Sequence, residues 1–268
     1  GQIAATDPDK DVAMTATYAL AEYAREGSGK AGAAELRRIM KEAKSTDVKK
    51  AALHVLGNMR DKESIAAIKE CALSNDNEDL RKTAAYALGN SKSPEAFVAL
   101  KELVAASANP GTQEAALHSM GNIGGEQVEK YLFETAISNP NDRVARTALY
   151  SLANASRDRG SRLMLDIVKK AKSAEVRKQA LYQIGNNSDD PEAIATLVKI
   201  AKESSDGDIQ MIAIQALGQT GSDDAVPVLK DFAKNGVNKR VRSAAVTALG
   251  QIGSEKAKAA LLEILGVK

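Results

Sequence analysis

Apolar residues recur along this chain in two alternating patterns, both with the period of a helix. In the first, an aliphatic starter is followed by Ala four places later and by Leu, Ile or Met eight places later. Examples are Val48, Ala52 and Leu56; Leu80, Ala84 and Leu88; Val176, Ala180 and Ile184; and Val241, Ala245 and Leu249. Steps of four and eight keep these side chains on one helical face. The fifth place is also apolar in most copies (Leu53, Leu117, Leu149, Leu181, Ile214), which widens the buried stripe. Asp47, Asp79, Glu175 and Asp208 precede the starter and place negative charge at the helix's positive end. Gly directly after the last apolar residue reads as a helix stop. The second pattern follows a short polar turn, as over 188–204 and 221–235. Its apolar residues, such as Ile194, Leu197, Val198 and Ala201, recur at three and four, and Pro94 and Pro191 sit where a first helical turn tolerates them.

The two patterns alternate with a fixed period. The tripeptide around Gly57 (Leu-Gly-Asn) returns at Gly89, and variants of it are centred on Gly121, Ala153, Gly185, Gly218 and Gly250, so successive steps are 32, 32, 32, 32, 33 and 32 residues. A degenerate copy, Leu20-Ala21-Glu22, lies before the first. Eight imperfect two-helix units therefore fill residues 1–268. Since each unit buries its apolar faces against its neighbours, the expectation is one all-α solenoid domain. Residues 8–24 read as a second helix without its first, and 255–265 as a first helix without its second. Solenoid ends are normally capped, so the expectation is a piece of a longer protein.

Neither the ankyrin start (TPLHxA-like) nor the Tyr that tetratricopeptide repeats carry three places after the Gly is present; those places hold Arg60, Lys92, Gly124, Ser156, Ser188, Gly221 and Gly253. The units resemble short HEAT-like repeats of the phycobilin-lyase type, with the pattern acid-x-Val-Arg-x-x-Ala-x-x-Ala-Leu-Gly. It is clearest in Asp79-Leu80-Arg81 to Gly89, Glu175-Val176-Arg177 to Gly185, and Val241-Arg242 to Gly250. The resemblance covers the whole chain. It implies a right-handed α-α superhelix of about eight helix pairs, with the second helix of each pair lining a concave surface. It also implies that Arg81, Arg177 and Arg242 pair with acidic groups on an adjoining repeat.

Residues two, six and ten after each starter fall on the side of that second helix away from the buried stripe, at about 100° per residue. They are Lys50, His54, Asn58; Lys82, Tyr86, Asn90; Glu114, His118, Asn122; Arg146, Tyr150, Asn154; and Lys178, Tyr182, Asn186, with Met14, Tyr18, Glu22 before them and Met211, Gln215, Gln219 and Ser243, Thr247, Gln251 after. Four of the six Tyr and both His share one column, which core packing does not require. The Asn column reads as local caps or an inter-repeat hydrogen-bond ladder. The rings could lie flat over Ala51, Thr83, Ala115 and Thr147 for structure alone, or form a contact ridge, since Tyr supplies rigid contact area at low entropic cost. Lys50, His54, Lys82, Tyr86, His118, Arg146, Tyr150, Lys178 and Tyr182 are thus the candidate partner-binding residues, and the cations among them favour an acidic or carbonyl-rich extended partner.

Composition narrows the rest. Hydrophobic residues make up 44%, but aromatics only 3% with no Trp, so Ala, Leu, Ile and Val must build the core. Thirty-seven basic and thirty-five acidic side chains leave +2, too little to drive binding to nucleic acid. No apolar run approaches the ~18–20 residues of a membrane span, and no signal peptide is visible. Deoxyhypusine hydroxylases are HEAT-like enzymes with several His-Glu pairs holding two irons, whereas Val55 follows His54 and Ser119 follows His118 here. HEAT-like DNA glycosylases use Trp-lined clefts. GSGK at 27–30 lacks the rest of a phosphate loop and reads as an inter-helix turn. The single Cys71 occupies a core place. The expectation is a non-catalytic, monomeric scaffold that needs no cofactor or metal and binds a protein or peptide on its concave face. A phycobilin-lyase-like or chaperone-like subunit and a lipid-carrier helical domain are the alternatives. The compartment is left open.

Overall fold

The computed structural model describes residues 6–7, 9–25, 29–74, 77–156, 160–186 and 191–266. Among these are sixteen α-helices and no strand. They are α1 (Lys10–Arg25), α2 (Gly29–Glu42), α3 (Thr46–Met59), α4 (Lys62–Ser74), α5 (Glu78–Ser91), α6 (Pro94–Ala106), α7 (Pro110–Ile123) and α8 (Glu126–Ser138). Then come α9 (Asp142–Ser156), α10 (Gly160–Lys170), α11 (Ala174–Gly185), α12 (Pro191–Glu203), α13 (Gly207–Gln219), α14 (Val226–Asn235, led by a 3-10 turn at Asp223–Ala225), α15 (Lys239–Ile252) and α16 (Glu255–Leu265). The odd-numbered helices carry the starter-Ala-Leu pattern, the even-numbered ones the other. Of the GSGK segment, Gly29 and Lys30 open α2, and residues 27 and 28 lie outside the described residues.

Contacts divide the chain into two compact units, Gly1–Leu132 with Tyr150–Ala155, and Phe133–Leu149 with Ser156–Lys268. In the first, α1 packs on α3, α3 on α5 and α5 on α7, while α2 packs on α4 and α4 on α6. From α1 to α7 each helix also packs on the next in the chain, as short connections dictate. The second unit repeats the scheme with α11, α13 and α15 in one layer and α10, α12, α14 and α16 in the other. The stripe is the core: Ala52, Leu56, Ala84, Leu88, Ala180, Ile184, Ala245 and Leu249 are all fully buried, and Cys71 is buried as expected.

Side-chain caps start most of these helices. Asn77 accepts from the backbone N–H groups of Asp79 and Leu80, Asn109 from Thr112, Ser173 from Val176, and Asn238 from Val241. Helix ends differ from the sequence expectation. Gly57, Gly89, Gly121, Gly218 and Gly250 do not stop their helices, which continue past them. The stop comes three residues after the Gly, where Arg60 (φ 57°), Lys92 (φ 51°) and Gly253 (φ 65°) turn left-handed and Gly124 takes a positive φ (70°) in an extended conformation. The mid-motif Gly serves close approach instead. A Cβ on Gly57 would lie 2.6 Å from the carbonyl oxygen of Ala87, one on Gly89 2.8 Å from Ser119 Cβ, and one on Gly121 3.0 Å from the Ser151 carbonyl oxygen. At this level α3, α5, α7 and α9 therefore touch backbone to backbone in turn, as α11, α13 and α15 do.

The Arg expectation also needs correction. Arg177 does not seek an acid on an adjoining repeat; its Nη1 donates to the carbonyls of Ala171 (2.9 Å) and Lys172 (3.1 Å), just past the end of α10. Arg242 Nη1 likewise donates to Gly236 O (2.9 Å). The same place in other repeats holds Gln113, bonded to Val104 O and Ser107 O, Gln210, bonded to Ala201 O, and Lys49, bonded to Lys41 O. The counterpart acceptors for Arg81, at 75 and 76, lie outside the described residues. The requirement is a donor arm long enough to reach the orphan carbonyls of the preceding helix, and Arg, Gln and Lys all supply one. Where Ala145 supplies none, the backbone N–H of Lys172 donates to Ile137 O instead (3.2 Å).

Candidate functional site

The first unit holds most of the ring column. His54 on α3, Tyr86 on α5, His118 on α7 and Tyr150 on α9 all point to solvent, with Tyr86 45% and Tyr150 36% exposed. The residue three places before each ring is small, and Ala51 and Ala115 there are buried. Exposed rings forgo burial that a core position would have recovered.

The cations beside the rings are not free. Lys50 Nζ reaches Asp79 of the next odd helix at 3.4 Å. Lys82 pairs with Glu78 one turn back at 2.5 Å, and Glu78 also accepts from Asn109 Nδ2 at 2.8 Å. The Lys82 hydrogen bond holds the Glu78 carboxyl below its ordinary range, and the same bond raises the Lys82 ammonium. The rim around the rings is thus a set of neutralised pairs and not a cationic field. Acids read from sequence as helix-dipole partners serve these pairs as well.

The ten-place Asn column departs from expectation. Asn58, Asn90, Asn122 and Asn154 are all exposed, and their carboxamides make no hydrogen bond with the described residues. They are neither caps nor a ladder, in contrast to Asn77 and Asn109, whose amides are engaged.

The second unit holds Arg146, Lys178 and Tyr182. Arg146 lies 3.8 Å from Glu175. Tyr182 is only half-exposed, and its hydroxyl donates to Gln215 Oε1 of the next odd helix at 3.1 Å. Tyr182 is therefore partly engaged in inter-repeat structure, unlike Tyr86. A groove of about 510 Å³ that the sequence did not signal opens near α10 and α12, floored by Leu165, Val168, Ile200 and Ile209. Most of its charged groups are engaged locally: Arg177 holds carbonyls, Asp206 accepts from the N–H groups of Asp208 and Ile209, and Lys199 lies 4.0 Å from Glu203. It lacks the convergent polar set that fixes a small ligand. Among the described residues no helix is long and apolar enough to cross a membrane.

No curated protein sequence matches the chain. Among solved structures it is similar to human deoxyhypusine hydroxylase in complex with glycerol, at 17% identity over 94% of each chain with a TM-score of 0.40. It is also similar to the complex of CpcE and CpcF of phycocyanin lyase from Nostoc (16%, 85% of this chain and 91% of that, TM-score 0.38). A third likeness is to YibA of Escherichia coli (16%, 98% and 93%, TM-score 0.45). At TM-scores below 0.5 these likenesses carry no argument of their own. The family model for HEAT repeats, however, matches residues 1–89, 33–121, 66–153, 161–244 and 203–268. With that match running along nearly the whole chain, on helices that pair and layer at the 32-residue period, the chain belongs to the HEAT-repeat family.

Proposed function

We propose that the chain is a non-catalytic interaction scaffold, and that the exposed face of its odd-numbered helices binds a protein or peptide segment. The observation that supports this reading is the column of His54, Tyr86, His118 and Tyr150: large rings held in solvent on successive helices of the first unit. Interfaces draw their energy from a few aromatic or Arg anchors, and a row of Tyr at fixed spacing suits an extended partner. Lys50 and Lys82, tied to Asp79 and Glu78, act as a polar rim that sets rate and salt dependence more than affinity. In the second unit Tyr182, Arg146 and Lys178 extend the list of candidate contacts, with Tyr182 the least available.

The test compares the wild-type chain with the Tyr86→Ala/Tyr150→Ala variant as baits in native lysate, both confirmed folded by circular dichroism. The reading expects at least one partner to be held by the wild type and to fall about tenfold or more in the variant, from about 1–3 kcal/mol per ring. Equal recovery of the same partners by both baits contradicts it.

A further inference from the structure

The interior repeats show what one odd-numbered helix presents to the next, and α1 and α15 each leave one half of that seam uncovered. We infer that copies of this chain join head to tail, with α15 of one copy seated against α1 of another, in place of the monomer that the sequence suggests.

Three features of the seam carry this. First, at the interior seams the Gly nine places after the starter receives the small residue seven places after the starter of the next odd helix. Gly57 meets Ala87 in this way, Gly89 meets Ser119, and Gly218 meets Ala248. Gly250 on α15 holds the same place, and nothing lies within 4 Å of a Cβ built on it. The corresponding small residue of α1 is Ala19, which is exposed where Ala87, Ser119 and Ala248 are buried.

Second, apolar residues that interior helices bury are uncovered on these two helices. The starters Val48, Leu80, Val144 and Val241 are buried, but Val12, the starter of α1, is 46% exposed. Thr15 and Ala19 continue its row at steps of three and four, and both are exposed. On α15 the fifth place after the starter is Val246, 36% exposed, whereas Leu53, Leu117 and Ile214 at that place are fully buried. Leu262 and Leu265 of the adjoining α16 are exposed as well. A solenoid end normally turns a polar face outward, and these rows are apolar.

Third, the charges match. Lys10, two places before the starter of α1, lies 3.7 Å from Asp47, one place before the starter of α3. Lys239 stands two places before the starter of α15, and Asp11 one place before that of α1. Both are exposed, and neither forms an ion pair with the described residues. Seating α1 of a second copy on α15 in the interior register brings Ala19 to Gly250 and Asp11 to Lys239, and covers Val12 and Val246. The helix that α15 fits thus has a small residue, an apolar starter and a preceding acid at set places, and α1 offers all three uncovered. The contact is heterologous, since the two copies use different surfaces, and each pair keeps one free end of either kind. This association does not depend on the ring column.

Sedimentation equilibrium of the full chain tests it. The average mass of the wild type should rise from 28.3 kDa to twice that or more between about 1 μM and about 1 mM. Ala19→Arg and Gly250→Arg each block one half of the seam at an exposed position, so circular dichroism should be unchanged while each variant alone stays at the monomer mass. Mixed in equal amounts, the two variants retain one intact α15 half and one intact α1 half between them. The mixture should therefore reach twice the monomer mass and stop there. A wild type that stays at 28.3 kDa throughout overturns the inference. So does either variant associating like the wild type, which would place the contact elsewhere, or a mixture that remains monomeric.

Discussion

Gly57 and Gly250 occupy the same place in their repeats, nine residues after the starter, yet the same substitution should act on them with opposite signs. A Cβ on Gly57 would sit 2.6 Å from Ala87 O and 3.0 Å from both Ala87 Cα and Cβ, and the first two are backbone atoms that cannot swing away. Relief requires α3 and α5 to separate by several tenths of an ångström at a fully packed seam. Overpacking of this kind costs about 1–3 kcal/mol. Against it stands the helix preference of Ala over Gly, worth about 0.8–1.0 kcal/mol. Gly57→Ala should therefore lose up to about 2 kcal/mol. At Gly250, in α15, nothing lies within 4 Å of the added Cβ and φ is not positive. There the helix term acts alone, and Gly250→Ala should gain about 0.5–1 kcal/mol. Urea denaturation followed by circular dichroism at 222 nm, with wild type and both variants in parallel, reads the two shifts. If Gly57→Ala is stabilised like Gly250→Ala, the close approach of the odd-numbered helices is wrong. If both lose stability equally, the Gly acts through the backbone conformation and not through its neighbour.

Other consequences follow from the same packing. Leu88 is fully buried, so Leu88→Ala should cost about 2–5 kcal/mol, whereas Tyr86→Ala, two residues away on the open side, should stay within about 1 kcal/mol; urea midpoints of the pair separate core from face. Gln113→Ala removes the donor to Val104 O and Ser107 O and should cost about 1–2 kcal/mol, with faster amide exchange at the end of α6 as its local sign. Glu263 receives hydrogen bonds from Lys230 and Lys234, which hold its carboxyl at about 2 against an ordinary 4.5. The folded value is the lower one, so this contact is fully present above about pH 4.5 and is lost as pH falls towards 2. Carbon-13 NMR of the Glu263 carboxyl should titrate near 2 and return towards 4.5 in Lys230→Met/Lys234→Met; a wild-type midpoint near 4.5 would remove the pairing from the account.

Much of the fold was legible because burial repeats. The steps of four and eight from Val48 or Leu80 can only mean one helical face, and the 32-residue return of Leu-Gly-Asn can only mean stacked units. The exposed column was legible for the same reason, since positions opposite a buried stripe must face away from it. Local pattern misled where one residue type has two uses. Gly89 after Leu88 has the look of a helix stop, but its neighbour Ser119, thirty residues on, decides that it is a contact. Asn90 has the look of a cap, while the helix end is set by Lys92 in a left-handed turn. Arg177 matches an acid-pairing Arg, yet the nearest unmet need is the carbonyls of Ala171 and Lys172. The pairing of Lys50 with Asp79 and of Tyr182 with Gln215 depends on how neighbouring units stack, which no single unit encodes.

The claim that the odd-numbered face binds a partner can be tested by light-activated cross-linking from defined positions. Benzoylphenylalanine in place of Tyr86 on α5 is compared with the same group in place of Val98 on α6, which is 52% exposed on the other helix layer of the first unit. Irradiation with the captured partner should give a covalent adduct from position 86 and little or none from position 98. An adduct from position 98 alone, or equal yields from both, would contradict the assignment of the partner to the ring column.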